Sequence, residues 1–176
     1  MDNLILVDEK DNVLGSEEKE KCHDNDGILH RAFSIFIFND KGELLIQQRS
    51  EFKRLWPTFW SNSCCSHPRQ DEDYKIAAER RIVEELGFSS DLKYLYKFIY
   101  KAKYKDAGSE NELCAVLIGK SSQPVVLNKE EASDSKWIEL NKLVEEIKQY
   151  PDRFSPWFKI EIKELLSNYK EEIDSL

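Results

Sequence analysis

The chain has 176 residues, enough for one domain with a substantial core, and its 26 Lys+Arg against 34 Asp+Glu give a formal net charge of −8. That balance argues against a general nucleic-acid binder, but not against a small anionic substrate, which feels only the local field of its site. The longest apolar region, Ala32 to Phe38, is far too short to span a bilayer, and the opening MDNLILVDEK has no basic region followed by a long apolar core. Neither a membrane partner nor a signal peptide is therefore expected.

Residues 3–8 and 12–15 read as a hairpin around Glu9-Lys10-Asp11. A charged stretch, Ser16 to Lys21, leads into a loop at Cys22-His23-Asp24-Asn25-Asp26-Gly27. Residues 30–38 form the strongest strand in the chain, and Asn39-Asp40-Lys41-Gly42 turns it back into 43–49. After the basic, aromatic segment 52–57 comes a short apolar strand, 59–63, and then Cys64-Cys65-Ser66-His67-Pro68. Pro68 keeps His67 out of the helical region. Asp71 and Asp73 are both candidate N-caps for a helix ending near Leu86, with Gly87 as its stop. Ala78, Ile82 and Leu86 make the apolar seam of that helix, and Arg81 and Glu85 share a face beside it.

Residues 94–104 and 110–119 read as strands joined by a turn at 105–109. A last strand at 135–139 and helices at about 140–149 and 156–170 close the chain. Strands and helices mix without βαβ alternation, so the expected class is α+β, one domain over 1–176.

The four cysteines, Cys22, Cys64, Cys65 and Cys114, fit neither a disulfide scaffold nor a paired zinc motif, and are expected as reduced thiols in a cytoplasmic protein. Cys22 and Cys114 read as small buried hydrophobes. In an extended segment Cys65 and His67 point to one face and Cys64 to the other. His23, His30 and His67 are the only histidines, and Glu110 and Glu112 share a strand face. Each alone is an ordinary surface or structural residue. Together they would make a mixed nitrogen and oxygen set suited to Mn²⁺, Mg²⁺ or Zn²⁺.

The strand–loop–helix from Phe59 to Gly87 resembles the Nudix box, with Ser66 at its first glycine, Glu72 six residues on, and Arg80-Arg81-Ile82-Val83-Glu84-Glu85 before Gly87. Arg81 replaces a glutamate that helps bind the metals of Nudix pyrophosphohydrolases. Further pieces are His30-Arg31-Ala32-Phe33-Ser34, Trp56-Pro57, Trp60-Ser61-Asn62-Ser63-Cys64-Cys65-Ser66-His67-Pro68, Glu110-Asn111-Glu112-Leu113-Cys114 and Phe154-Ser155-Pro156-Trp157. As a set they resemble the type 1 isopentenyl-diphosphate isomerases, a Nudix branch, over about Leu4 to Trp157.

The resemblance implies a Nudix fold, with mixed β-sheets sandwiched by helices and an added N-terminal hairpin. It implies isomerisation of a five-carbon prenyl diphosphate through a tertiary carbocation. Glu112, near Tyr100, would deliver a proton and Cys65 would remove one, with Trp157 offering its π face to the cation. His23, His30, His67, Glu110 and Glu112 would hold one divalent metal, and Glu85 an Mg²⁺ that binds the diphosphate. Lys19, Arg49, Lys53, Ser66 and Arg81 would contact the diphosphate. Two other readings stay open from sequence: a Nudix pyrophosphohydrolase of a nucleoside diphosphate derivative, and a binding module without turnover.

Overall fold

The computed structural model describes residues 3–176. In chain order its elements are β1 (Asn3–Val7), β2 (Val13–Glu18), α1 (Lys19–Cys22), β3 (His30–Phe38), β4 (Leu44–Arg49), β5 (Trp60–Ser61) and β6 (Cys64–Ser66). They continue with α2 (Tyr74–Leu86), β7 (Leu92–Tyr104), β8 (Gly108–Lys120), β9 (Ala132–Ile138), α3 (Leu140–Gln149), a 3-10 turn at Pro151–Arg153, α4 (Pro156–Asn168) and α5 (Lys170–Asp174).

β3 is the hub of a nine-stranded network. It pairs with β1 at His30, with β4 at Phe38, with β6 along Phe33–Ile35, and with β8 over its whole length. The β3–β8 pairing is parallel and runs from His30↔Glu112 to Phe38↔Lys120. Period-two alternation splits the core into two layers. Phe33, Ile35 and Ile37, with Ala115 and Leu117, face Ala77, Ala78, Ile82 and Leu86 of α2. Ala32, Phe36 and Phe38, with Val116 and Ile118, face Trp157, Phe158, Ile162 and Leu165 of α4. Burial on both faces explains why β3, apart from Ser34, is apolar from Ala32 to Phe38. The helices thus sandwich mixed sheet, as the α+β reading expected.

Local chemistry fixes the boundaries. Of the two candidate caps, Asp73 is the one that caps α2, accepting from the Ile76 N–H at 2.8 Å, and Gly87 closes the helix at φ 76°. The strand expected at 59–63 is broken. Ser61 pairs with Gln47 of β4, whereas Cys64–Ser66 pair with β3. The crossing is spanned by side chains: Ser63 Oγ donates to Leu45 O at 2.6 Å and accepts from the Ile37 N–H at 2.8 Å, and Asn62 Nδ2 donates to Cys64 O at 2.6 Å. Side-chain groups replace ladder bonds there, which apolar patterning does not register. The helix expected to reach 170 ends at Asn168, because Tyr169 leaves helical geometry at φ −128°, and α5 resumes after it.

Candidate active site

The histidines and glutamates come from four separate elements. His30 opens β3, and Glu110 and Glu112 lie on β8, where the parallel register sets Glu112 opposite His30. His67 follows β6 directly, and His23 follows α1. The α1 turn, unforeseen in the charged stretch, is tied by His23 Nδ1, which donates to Lys19 O at 2.6 Å. The His23 carbonyl accepts from Ser109 N at 2.9 Å, an approach that needs Gly108, since a Cβ there (φ 140°) would collide with that carbonyl.

One ligand atom each from His23, His30, His67 and Glu112 lies within 4.8 Å of all the others. Glu110 joins through His23, with Oε2 2.9 Å from Nε2. His30 Nδ1 donates to Ile28 O at 2.7 Å. With both Nδ1–H groups used on carbonyls, His23 and His30 turn Nε2 toward carboxylate oxygens. Burial pushes the His23 imidazole down, but Glu110 beside it outweighs burial and raises it. Among the described residues His30 Nε2 and Glu110 Oε2 are buried with no hydrogen-bond partner. Burial pushes the His67 imidazole down to about 3, so it is neutral near pH 7. Buried lone pairs converging from imidazoles and carboxylates fit a divalent cation, with the Lys19 and Ile28 carbonyls orienting the ligand rings.

With His30 buried behind them, His23, His67, Glu110 and Glu112 line a cavity of about 250 Å³. That is below the roughly 300–1,000 Å³ of clefts for drug-sized ligands, so the site suits a small molecule. Cys65 lines it and Cys64 does not; Cys64 is fully buried against α2. Burial pushes the Cys65 thiol up to about 12 despite Arg49, whose Nη1 lies 3.8 Å from Sγ. Arg49 is itself fixed by the carbonyls of Trp56 (3.1 Å) and Leu55 (2.9 Å). Tyr100 donates to Glu112 Oε2 at 2.5 Å. The Trp157 indole N–H is shared between Ser61 Oγ (3.0 Å) and Asn62 Oδ1 (3.2 Å), and its ring lies 5.1 Å from the Arg49 guanidinium and 6.0 Å from Tyr100. Trp157 is both a core residue and a cavity wall.

Lys19, Lys53, Ser66 and Arg81 also line the cavity, so all the expected diphosphate contacts share one space. Glu85 does not reach it. That carboxylate is 2% exposed, paired with Arg81 and 3.5 Å from Gln47 Nε2. It stands behind the wall that Arg81 forms.

Sequence reasoning missed three side chains. Glu131 lines the cavity, paired with Lys53 and with Arg81 Nη2 at 3.0 Å; Lys129-Glu130-Glu131 reads as a solvated turn, and no local pattern marks it. Arg54, also in the wall, donates to the Glu20 carbonyl (3.0 Å), Asp24 (2.6 Å) and Ala107 O (3.0 Å). Glu161 is fully buried, next to Cys114 at 3.7 Å, and burial raises its carboxyl to about 8. A signal existed for Glu161: it falls on the same α4 face as Trp157, Phe158, Ile162 and Leu165.

Fold and site together define a Nudix domain. The NUDIX domain family profile matches residues 28–158. The crystal structure of DR0079 from Deinococcus radiodurans superposes with a TM-score of 0.69 at 22% identity, covering 84% of this chain and 90% of that one. Isopentenyl-diphosphate Delta-isomerase 1 of Photorhabdus laumondii is 46% identical over 98% of this chain and 99% of its own length. The isopentenyl-diphosphate Delta-isomerase of Serratia proteamaculans is 40% identical over 96% of this chain and 93% of its own. The chain belongs to the Nudix family and, within it, to the isopentenyl-diphosphate Delta-isomerases.

Proposed function

We propose that the protein interconverts isopentenyl and dimethylallyl diphosphate, with Cys65 and Glu112 as its proton-transfer pair. The observation that carries this reading is their meeting, from strands on either side of β3, in one small cavity that also holds Arg49, Lys53 and Arg81. Cations hold the diphosphate while the hydrocarbon lies between the proton-transfer groups. Glu112, oriented by the Tyr100 hydroxyl, delivers a proton to the terminal alkene carbon and leaves a tertiary cation. Cys65 Sγ takes a proton from the carbon on the other side of the cationic centre. One proton enters and one leaves, and the C–O and P–O bonds stay intact.

This forward step starts with the proton on Glu112 and a thiolate beside Arg49, and it ends with Cys65–SH and an ionised Glu112. Burial keeps the proton on Cys65, and at Glu112, where burial pushes the carboxyl up, the His30 and His67 imidazoles outweigh it and keep the carboxylate ionised; from that arrangement the reverse step starts. Trp157, held rigid through its indole N–H, presents a π surface worth about 2 kcal/mol or more to a desolvated cation, and excludes water that would trap it as an alcohol.

A divalent ion (Mn²⁺, Mg²⁺ or Zn²⁺) on His23, His30, His67, Glu110 and Glu112 would hold the Glu112 carboxylate in place, and an Mg²⁺ shared by Glu85 and the diphosphate would require Arg81, which stands between Glu85 and the cavity, to swing aside. Glu85 is one carboxylate already paired with Arg81, so the substrate phosphates would supply most ligands there, as is usual for Mg²⁺. No helix among the described residues is long and apolar enough to cross a membrane. All four cysteines are free, which supports a cytoplasmic place of action.

The test is turnover of isopentenyl diphosphate in heavy water with Mg²⁺. The expected result is solvent deuterium on carbon in the recovered C5 diphosphates and no phosphate release. Phosphate release without carbon-bound deuterium would establish hydrolysis instead, and binding without either would leave a module that lacks turnover.

A further inference from the structure

Both oxygens of the Glu131 carboxylate are engaged inside the cavity wall. Oε2 pairs with Lys53 Nζ, and Oε1 lies 3.0 Å from Arg81 Nη2. The side chain is about one-fifth exposed, and the backbone is anchored separately, since Ser50 N–H donates to the Glu131 carbonyl at 3.0 Å. The two cations that Glu131 bridges are the ones assigned above to the diphosphate, so this inference rests on that reading. A carboxylate spanning an ammonium and a guanidinium presents what one end of a diphosphate presents: two anionic oxygens at hydrogen-bonding distance from two donors.

We propose that Glu131 is an internal stand-in for the substrate's diphosphate, and that ligand binds by exchange, drawing Lys53 and Arg81 off the Glu131 carboxylate onto phosphate oxygens. In the absence of ligand the stand-in compensates Lys53 and shares Arg81 with Glu84 and Glu85, so the two converging cations do not repel each other and splay the wall. Lys53 and Arg81 are thereby held at a spacing that a diphosphate matches. The exchange weakens apparent affinity, because only molecules with the cations free are competent to bind. Burial pushes the Glu131 carboxyl up, but Lys53 and Arg81 outweigh it and hold it at about 2, so the stand-in stays charged at any working pH.

The test is calorimetric titration of the full chain with inorganic pyrophosphate, with and without Mg²⁺, each variant first checked for an intact melting transition. Glu131→Gln removes the charge. Glu131→Asp keeps it but is one methylene too short to bridge both cations. Tightening by about tenfold in both variants and in both conditions is expected, that being the penalty when roughly one molecule in ten has its cations free. Three results would overturn the proposal. Tightening in Glu131→Gln alone means that Glu131 only repels the ligand through its field. Weakening in both conditions means that it merely positions the cations. Weakening only with Mg²⁺ means that it ligates the ion. Lys53→Met separates this inference from its foundation: unchanged pyrophosphate affinity in that variant removes Lys53 from the diphosphate site and overturns both, whereas lost affinity there leaves the site reading standing whatever Glu131 does.

Discussion

Among single residues, the site turns on neighbours with opposite fates. Cys64 and Cys65 are chemically identical, but the strand sends one into the α2 layer and the other into the cavity. Cys65→Ala should abolish isomerisation with the melting temperature unchanged. Cys64→Ala should keep substantial activity and lose roughly 1 kcal/mol of stability through a small core cavity, as read by denaturant titration. Equal loss of activity from two folded variants would refute the thiol assignment. Period two alone made this distinction legible, as one face and then the other. Glu161 gives a pH test. Its folded carboxyl titrates near 8 against 4.5 for the ordinary group, because burial disfavours the charge. Between those values the folded state holds a proton that the unfolded chain has released. Its contribution is complete below pH 4.5 and is lost progressively as pH rises toward 8. Glu161→Gln should flatten that decline, with the gain over wild type growing from pH 5 to pH 8 in urea titrations. A parallel decline in both proteins would mean that Glu161 titrates normally.

Among whole elements, the hairpin β1–β2, the hub β3 and the capped helix α2 were readable because each arises from local pattern: a turn, an apolar run, an Asp cap and a Gly stop. The crossing at Asn62–Ser63 and the α1 turn were not, because each is set by side-chain to backbone bonds, which apolar patterning does not register. The segment carrying His23 is held by bonds of the same kind. From sequence, the ion is expected to tie it down in part, and the other part has no visible source. In the structure Arg54 holds Glu20 and Asp24, Ser109 Oγ donates to Asn25 O at 2.6 Å, and Asn111 donates to Gly27 O at 3.2 Å. Chelation should therefore lower the melting temperature and leave residues 19–27 resistant to protease. Arg54→Ala combined with chelation should open them. Cleavage there on chelation alone would show that the ion, rather than the clamp, orders the segment.

For the molecule as one body, net charge misleads about the site. The chain is acidic at −8, yet its cavity gathers Lys19, Arg49, Lys53, Arg54 and Arg81 against Glu20, Glu110, Glu112 and Glu131, and a divalent ion on Glu110 and Glu112 would tip that balance further toward the cations. A diphosphate should therefore be drawn to the mouth against the global field, with KM rising several-fold between about 50 mM and about 500 mM salt while kcat changes little, because screening acts on binding. A flat KM would mean that the cations are fully compensated by Glu131 and its neighbours. The α+β layering was legible from element order. The parallel β3–β8 pairing was not, since these strands are far apart in sequence and nothing local encodes which pairs with which. The free edge of β7 carries Lys93, Lys97, Lys101 and Lys103, a pattern that deters sheet-to-sheet association.

The parallel ladder also bears on how the chain distinguishes correct from nearly correct folding. His30 and Glu112 form its opening rung. A slip of one residue would turn every β8 side chain to the opposite layer and carry Glu112 away from all three imidazoles. Only the true alignment assembles this cluster, so an ion bound as proposed would reward that alignment and no other. The proposed metal site would thus double as a proofreader of strand register.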